Sequence, residues 1–220
     1  MERVKRFTGE ENHSITKAEA LAFLRNFKKH FGDESETGCF FDAQVVQAIL
    51  DQPEAVGMRY YYGVDDLNQT QLILVGADTR RRDLLNGEPV KKAVIDPPLT
   101  EKGIYDAAAV EHRISTDEAA EMTARYRENL LPGQPKGGFF GKKAIQRLLV
   151  QPDCIGLRFF YGAANDGARV IVILCVDKNG EEMFDGPLAE LSIVCPPICG
   201  PTNPLNHDET SNKASRLIVS

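Results

Sequence analysis

The chain has 220 residues, 42% of them hydrophobic, with a net charge of −6 and a pI near 5.3. That is enough apolar material for a substantial core, and the acidic balance argues against a nucleic-acid face, whose affinity comes from clustered Lys and Arg. No apolar segment follows the charges of the N-terminus, and no stretch approaches the roughly 18 consecutive apolar residues of a membrane span, so neither export nor membrane insertion is expected.

After an N-terminal extension of residues 1–12, Thr16-Lys-Ala-Glu19 reads as a capping box, in which hydroxyl and carboxylate each satisfy a backbone donor at a helix start. Ala20, Phe23, Leu24, Phe27 and Phe31 then fall at helical spacing, and Gly32 ends the run. A loop leads through Phe40-Phe41 to a second helix over 42–51, with Val45, Val46, Ile49 and Leu50 on one stripe; Gln52-Pro53 stops it, because proline disfavours helical geometry in the residue before it. Val56 to Gly63 and Gln71 to Asp78 read as paired strands joined through Asp65-Asp66-Leu67-Asn68, and a further strand is expected through Val90 to Ile95. The basic run Arg80-Arg81-Arg82 reads as a solvated turn.

The same order then repeats. Residues 13–98 align with 112–197 at a constant offset of 99 without a gap, pairing His13 with His112, Gly57 with Gly156, Tyr62 with Tyr161, and Pro97-Pro98 with Pro196-Pro197. Ser115-Thr-Asp-Glu118 repeats the capping box, followed by Ala119, Met122, Tyr126 and Leu130 up to Pro132-Gly133, a helix over 141–150, strands Ile155 to Gly162 and Val170 to Asp177 around Asn165-Asp166-Gly167, and a strand through Leu191 to Cys195. The expected fold class is α+β, a tandem duplication of a module with two helices followed by a small, mainly antiparallel sheet. The expected divisions are 13–98 for the first copy, 99–111 as linker, 112–197 for the second copy and 198–220 as a C-terminal tail, flexible or loosely docked from residue 200 on. The period is far longer than the roughly 20 to 50 residues of a solenoid repeat, so each copy reads as a small domain.

The least ordinary chemistry lies in Gly-x-Arg-aromatic-aromatic-Tyr-Gly, which starts at Gly57 and at Gly156. Alternation puts Arg59 and Tyr61 on one face of the strand and Met58, Tyr60 and Tyr62 on the other, as it does Arg158 and Phe160 against Leu157, Phe159 and Tyr161. A guanidinium among rings can clamp an anion or anchor an interface, or cover the sheet with its stem and pair with an acid. If the two arginines converged, they would build one anionic site. Asp177-Lys-Asn-Gly180 lacks the oxygen ladder of a calcium loop and reads as a turn with a left-handed glycine.

Both cysteines of Cys195-Pro-Pro-Ile-Cys199 are peculiar to the second copy, whose counterpart in the first is Asp96-Pro-Pro-Leu-Thr100. With His207 they supply at most three ligands, short of a structural zinc site. They could also close a disulfide or serve a redox role. The odd total of five cysteines favours reduced thiols and a cytoplasmic protein. His13 and His112 stand before the capping boxes, where packing or capping explains them. Conventional catalytic signatures are absent from the sequence.

The strand motif, the aspartate that ends the next strand, its Asn-Gly turn, and the terminal Cys-Pro-Pro-x-Cys-Gly with Asn203-Pro-Leu-Asn206 together resemble small bacterial proteins to which no activity is assigned. The resemblance covers most of the second copy and, without the cysteines, the first, and it implies a shared fold with no activity to carry over. Three functional readings follow. The first is a non-enzymatic binding or assembly protein, monomeric or a homodimer, presenting Arg59, Tyr61, Arg158 and Phe160 to a protein partner or a small anionic ligand. The second is an enzyme with its site in the cleft between the copies. The third is a metal or thiol sensor acting through Cys195 and Cys199.

Overall fold

The structure, a computed structural model, describes residues 6–32, 37–86, 90–131 and 133–207. Residues 1–5 of the extension and 208–220 of the tail lie outside the described residues. In chain order the elements are β1 (Ser14–Ile15), α1 (Lys17–Phe31), β2 (Gly38–Asp42), α2 (Ala43–Leu50), β3 (Gly57–Val64), β4 (Thr70–Ala77), β5 (Lys91–Lys92), α3 (Thr116–Glu128), β6 (Gly137–Gly141), α4 (Lys142–Leu149), β7 (Gly156–Ala163), β8 (Arg169–Val176), β9 (Leu188–Ala189) and β10 (Ile193–Cys195). The described residues thus make a mixed fold of four α-helices and two antiparallel sheets, ordered β1-β9-β8-β7-β2 and β10-β6-β3-β4-β5.

Local signals account for the helices. Thr16 accepts a hydrogen bond from the Glu19 amide while the Glu19 carboxylate reaches back to the Thr16 amide, and Ser115 accepts from the Glu118 amide. The Asp42 side chain caps α2 by accepting from Gln44 and Val45. Ala20 and Phe27 bury the α1 stripe, and Ala119, Met122 and Thr123 bury that of α3. This second helix ends at Glu128, capped by Asn129, earlier than the expected stop near Pro132-Gly133.

Placing both helices of a module before its sheet is corrected by β2 and β6, each a strand running directly into the second helix. These strands also decide the architecture. β2, from residues 13–98, pairs with β7 of residues 112–197, from Gly38 opposite Phe160 to Asp42 opposite Gly156. β6 pairs with β3 in the reciprocal register, from Gly137 opposite Tyr61 to Gly141 opposite Gly57. Each hairpin is therefore completed by a strand from the other half. The helices follow the same exchange: α1 packs on β7 and β8, and α3 packs on β3.

The main core lies between the sheets, where Met58, Tyr60, Tyr62, Leu72 and Leu74 meet Leu157, Phe159, Tyr161, Ile171 and Ile173 around Val46, Ile49, Leu50, Ile145 and Leu148 of α2 and α4. Outer faces are covered too. Tyr61, Ile73 and Val75 pack with Ala119 and Met122 of α3, while Val172 and Leu174 pack with Ala20 of α1.

The glycine that opens each aromatic strand is required by this exchange. A Cβ on Gly57 would overlap the Phe140 carbonyl oxygen and the Phe139 ring, and one on Gly156 would overlap the Phe40 ring and the Phe41 carbonyl oxygen. Gly57→Ala is expected to cost about 1–3 kcal/mol by overpacking, read as a lower denaturation midpoint. An unchanged midpoint would contradict this close approach.

Two histidines seal the exchange. His13 Nδ1 lies 2.8 Å from the Leu191 carbonyl while Nε2 accepts from the Gly141 amide at 3.0 Å. His112 Nδ1 lies 2.8 Å from the Lys92 carbonyl while Nε2 accepts from the Asp42 amide at 3.2 Å. Both imidazoles must be neutral with the proton on Nδ1, because Nε2 is an acceptor. Burial lowers the pKa of each below 6.5, outweighing the carbonyl bonds and nearby acids.

Candidate functional site

Alternation places Arg59 and Tyr61 on one face as expected, but that face is covered: Arg59 is 0% and Tyr61 1% exposed. Arg59 Nε donates to Asp83 Oδ1 at 2.7 Å and Nη2 to the Arg81 carbonyl at 3.0 Å. The Tyr61 hydroxyl donates to Asp83 Oδ2 at 2.6 Å, and burial with the Asp83 charge raises its pKa. Asn203 Nδ2 donates to the same carboxylate oxygen at 2.9 Å, and Asn206 Nδ2 to the Tyr61 hydroxyl at 3.3 Å. Leu205 is buried beside Tyr61, and Arg127 donates to the Leu205 and His207 carbonyls, both at 2.6 Å. Residues 200–207 are therefore docked more firmly than the flexible or loosely docked tail expected there, held by Asp83 and Tyr61 of the first half and by Arg127 of α3. Arg59, through Asp83, and Tyr61 hold that latch and offer no surface to a partner.

Arg158 is the reciprocal case. Its Nη1 donates to the Ile95 carbonyl at 2.6 Å and pairs with Asp96 at 2.8 Å, its Nε lies 3.6 Å from Glu182, and its guanidinium sits 6.0 Å from the partly exposed Phe160 ring. Arg158 thus grips chain leaving the first half, whereas Arg59 is held by Asp83 and Arg81 of its own half and meets the tail through Asp83, so the two serve separate sites instead of converging on one anion.

Cys195 and Cys199 form a disulfide, which corrects the expectation of free thiols for this pair and leaves Cys39, Cys154 and Cys175 as the free cysteines. Joined in this way, they offer no thiolate to zinc. Among the described residues no group of three His, Cys, Asp or Glu side chains is placed to hold a metal ion, and His207 is fixed through its backbone. The turn expected at Asp177 is present: Asp177 accepts from the Asn179 and Glu181 amides, and Gly180 has φ +83°.

Two recesses lined by described residues are open to small molecules. One of about 400 Å³, lined by Glu54, Asp78, Thr79, Arg80 and Arg82 among others, has its chemistry engaged internally, since Arg82 pairs with Asp78 at 2.6 Å and with Glu54 at 3.6 Å. The other, of about 280 Å³, lies where the halves meet, between Phe27 and Phe31 of α1, the turn residues Asn68, Gln69 and Thr70, and Tyr161 and Arg169 of the second hairpin. The Arg169 guanidinium stands 4.3 Å from the centre of the Phe31 ring and 6.0 Å from that of Phe27. It makes no hydrogen bond or ion pair with any described residue. Tyr161 donates to the Thr70 carbonyl at 3.3 Å, and its ring lies 6.3 Å from Tyr62, which stacks on Tyr126. The Tyr62 hydroxyl is buried without a hydrogen-bond partner among the described residues, and burial first, then neighbouring phenols, raises its pKa.

The cleft is therefore a cation stacked in an aromatic wall with its donors free. The sequence carried no local sign of it, because Phe27 and Arg169 meet only through the exchange that lays α1 on β7 and β8. Position 70, the first half's counterpart of 169, holds a threonine, so the cation stands on one side of the junction only. No protein-family model, curated protein or solved structure matches the chain.

Proposed function

We propose that the chain is a tandem duplication of one α+β module acting as a non-enzymatic binding protein, and that it takes a small aromatic anion in the cleft at Arg169. The observation that carries this reading is the guanidinium itself, partly buried on the Phe31 ring with its hydrogen bonds unused. Arginine offers a planar fork to a carboxylate, and the rings of Phe27, Phe31 and Tyr161 offer faces for a flat apolar body. Aromatic faces beside a guanidinium, with the polar turn residues Asn68, Gln69 and Thr70 on the rim, offer both an apolar contact and polar anchors, as small-ligand sites do.

The enzyme alternative needs an acid and a base in the cleft, and the only titratable side chains lining it are those of Tyr161 and Arg169. The metal form of the sensor alternative needs thiolates that the disulfide occupies. A cytoplasmic location now rests on Cys39, Cys154 and Cys175, since a disulfide persists best in an oxidising compartment. No helix among the described residues is long and apolar enough to cross a membrane.

The test is titration with benzoate, with uncharged benzamide as control, followed by NMR shifts of the cleft aromatics. Benzoate is expected to saturate them with a Kd on the order of 1 mM, as suits so small a ligand. Arg169→Ala is expected to weaken this at least about tenfold, the loss of one charge-assisted hydrogen-bonding group. Arg169→Lys, which keeps the charge without the fork, is expected to fall between. Equal binding by wild type and Arg169→Ala, or equal binding of benzamide, would reject the site.

A further inference from the structure

Two of the free cysteines stand together in the second half, apart from both the cleft and the disulfide. After α4 the chain turns at Gln151–Asp153, with the Cys154 amide returning to the Gln151 carbonyl at 3.2 Å, and this brings Cys154 to the end of β8. Cys175 on β8 is fully buried; it donates to the Leu148 carbonyl at 2.8 Å and accepts from Gln151 Nε2 at 3.0 Å. Cys154 is partly exposed and donates to the Gly156 carbonyl at 3.4 Å. Gln151 touches both, its carbonyl accepting from the Cys154 amide and its side chain donating to the Cys175 sulfur, and Cys154 packs against the core cluster that holds Cys175.

Their environments differ in the sense a redox pair requires. The Cys175 thiol and nearby backbone groups lower the pKa of Cys154 against the opposing effect of burial, whereas the Cys154 thiol and burial push Cys175 up. Thiolate character therefore concentrates on the accessible member. The first half keeps the glutamine, as Gln52, but has Ala55 and Gly76 where the thiols stand, so the scaffold forms without them.

We infer that Cys154 and Cys175 are a peroxide-oxidisable dithiol, with Cys154 attacking and Cys175 resolving. The Cys154 thiolate attacks one oxygen of a hydroperoxide, the O–O bond breaks, and the second oxygen leaves with a proton as water or an alcohol. Cys154 is then a sulfenic acid. The Cys175 sulfur displaces its hydroxyl, which takes up the Cys175 proton and departs as water, and a disulfide joins 154 to 175. Two electrons pass from the thiols to the peroxide, and a small-molecule thiol restores the pair by exchange.

The experiment treats the full chain, its existing disulfide intact, with hydrogen peroxide, then denatures, alkylates and maps it. Untreated protein is expected to take three alkyl groups, matching its three free cysteines. Treated protein is expected to take one, at Cys39, with a peptide joining Cys154 to Cys175. Loss of the Cys154 thiol should run about tenfold or more faster than that of Cys39, which is buried. In Cys175→Ser the reaction is expected to stop at the Cys154 sulfenic acid, captured by dimedone. Three alkyl groups after treatment, a Cys154 that oxidises while Cys175 stays alkylatable, or a link from Cys154 to any other cysteine would each overturn the inference. Wild-type labelling alone decides the outcome if the variant does not fold.

Discussion

Asp83→Ala is expected to cost about 3–5 kcal/mol, because it leaves a guanidinium buried without its charge partner. Both side chains of the Arg59–Asp83 pair are 0% exposed. The same carboxylate also receives the Tyr61 hydroxyl and Asn203, so one truncation strands three donors at once. Against the roughly 5–15 kcal/mol that hold a domain folded, this is a large share. Urea denaturation gives the magnitude, and limited proteolysis should show cleavage within residues 200–207, whose asparagines lose their anchor. Glu182→Ala, at the equivalent place in the second half, supplies the comparison. Glu182 is 34% exposed and 3.6 Å from Arg158, which keeps Asp96 and the Ile95 carbonyl, so about 0–1 kcal/mol is expected. Equal losses in the two variants would refute the distinction between a buried latch and a wet one.

Mild acid is expected to loosen the same exchange through His13 and His112. Above pH 6.5 both are neutral folded or unfolded, and their contribution is fully present. As the pH falls below 6.5, the unfolded chain takes up protons that the folded chain refuses, because burial has lowered the folded pKa of each. Stability must therefore fall with pH until the folded values are passed, at most about 1.4 kcal/mol per pH unit for each histidine. The protonated ring would also turn an N–H toward the Gly141 or Asp42 amide that it now accepts from.

The surrounding charges moderate this without reversing it. Glu11 faces His13, while Asp42, Glu111 and Lys91 face His112. Glu190, beside His13, has its own pKa raised by burial, so its protonation favours the fold, in the range above its ordinary value of 4.5. The sign is therefore cleanest just below pH 6.5. Unfolding midpoints across pH 7.5 to 5, with His13→Gln and His112→Gln each flattening the profile, are the check. A wild-type profile without slope there would dismiss the histidines as pH-sensitive seals.

Much of the local structure was legible from short-range pattern. The Thr16–Glu19 box starts α1, Ser115 caps α3 through the Glu118 amide without the reciprocal half of the expected box, Gln52-Pro53 and Gln151-Pro152 follow the ends of α2 and α4, and the paired strands fall within one residue of their expected bounds. The five-residue strands β2 and β6 were not legible. Gly38–Asp42 and Gly137–Gly141 run straight into helices, and their extended form is sustained by hydrogen bonds to β7 and β3, more than a hundred and about eighty residues away in the chain. The fates of Arg59 and Tyr61 were hidden for the same reason. Alternation says which face they share; only the arrival of Asp83, Asn203 and Asn206 makes that face an interior.

The sequence by itself determined the helices, the paired strands, their order and their apolar faces, because each depends on neighbours a few positions away. Tertiary structure decided which half completes which hairpin. Segments 38–42 and 137–141 carry nearly the same pattern, so pairing within a half or across halves would satisfy the same alternation. The choice lies in how connected chain, covering helices and the two histidine seals close together in space. From that closure come the grip of Arg158 on residues 95–96 and the cleft at Arg169, each assembled from groups that no local periodicity links.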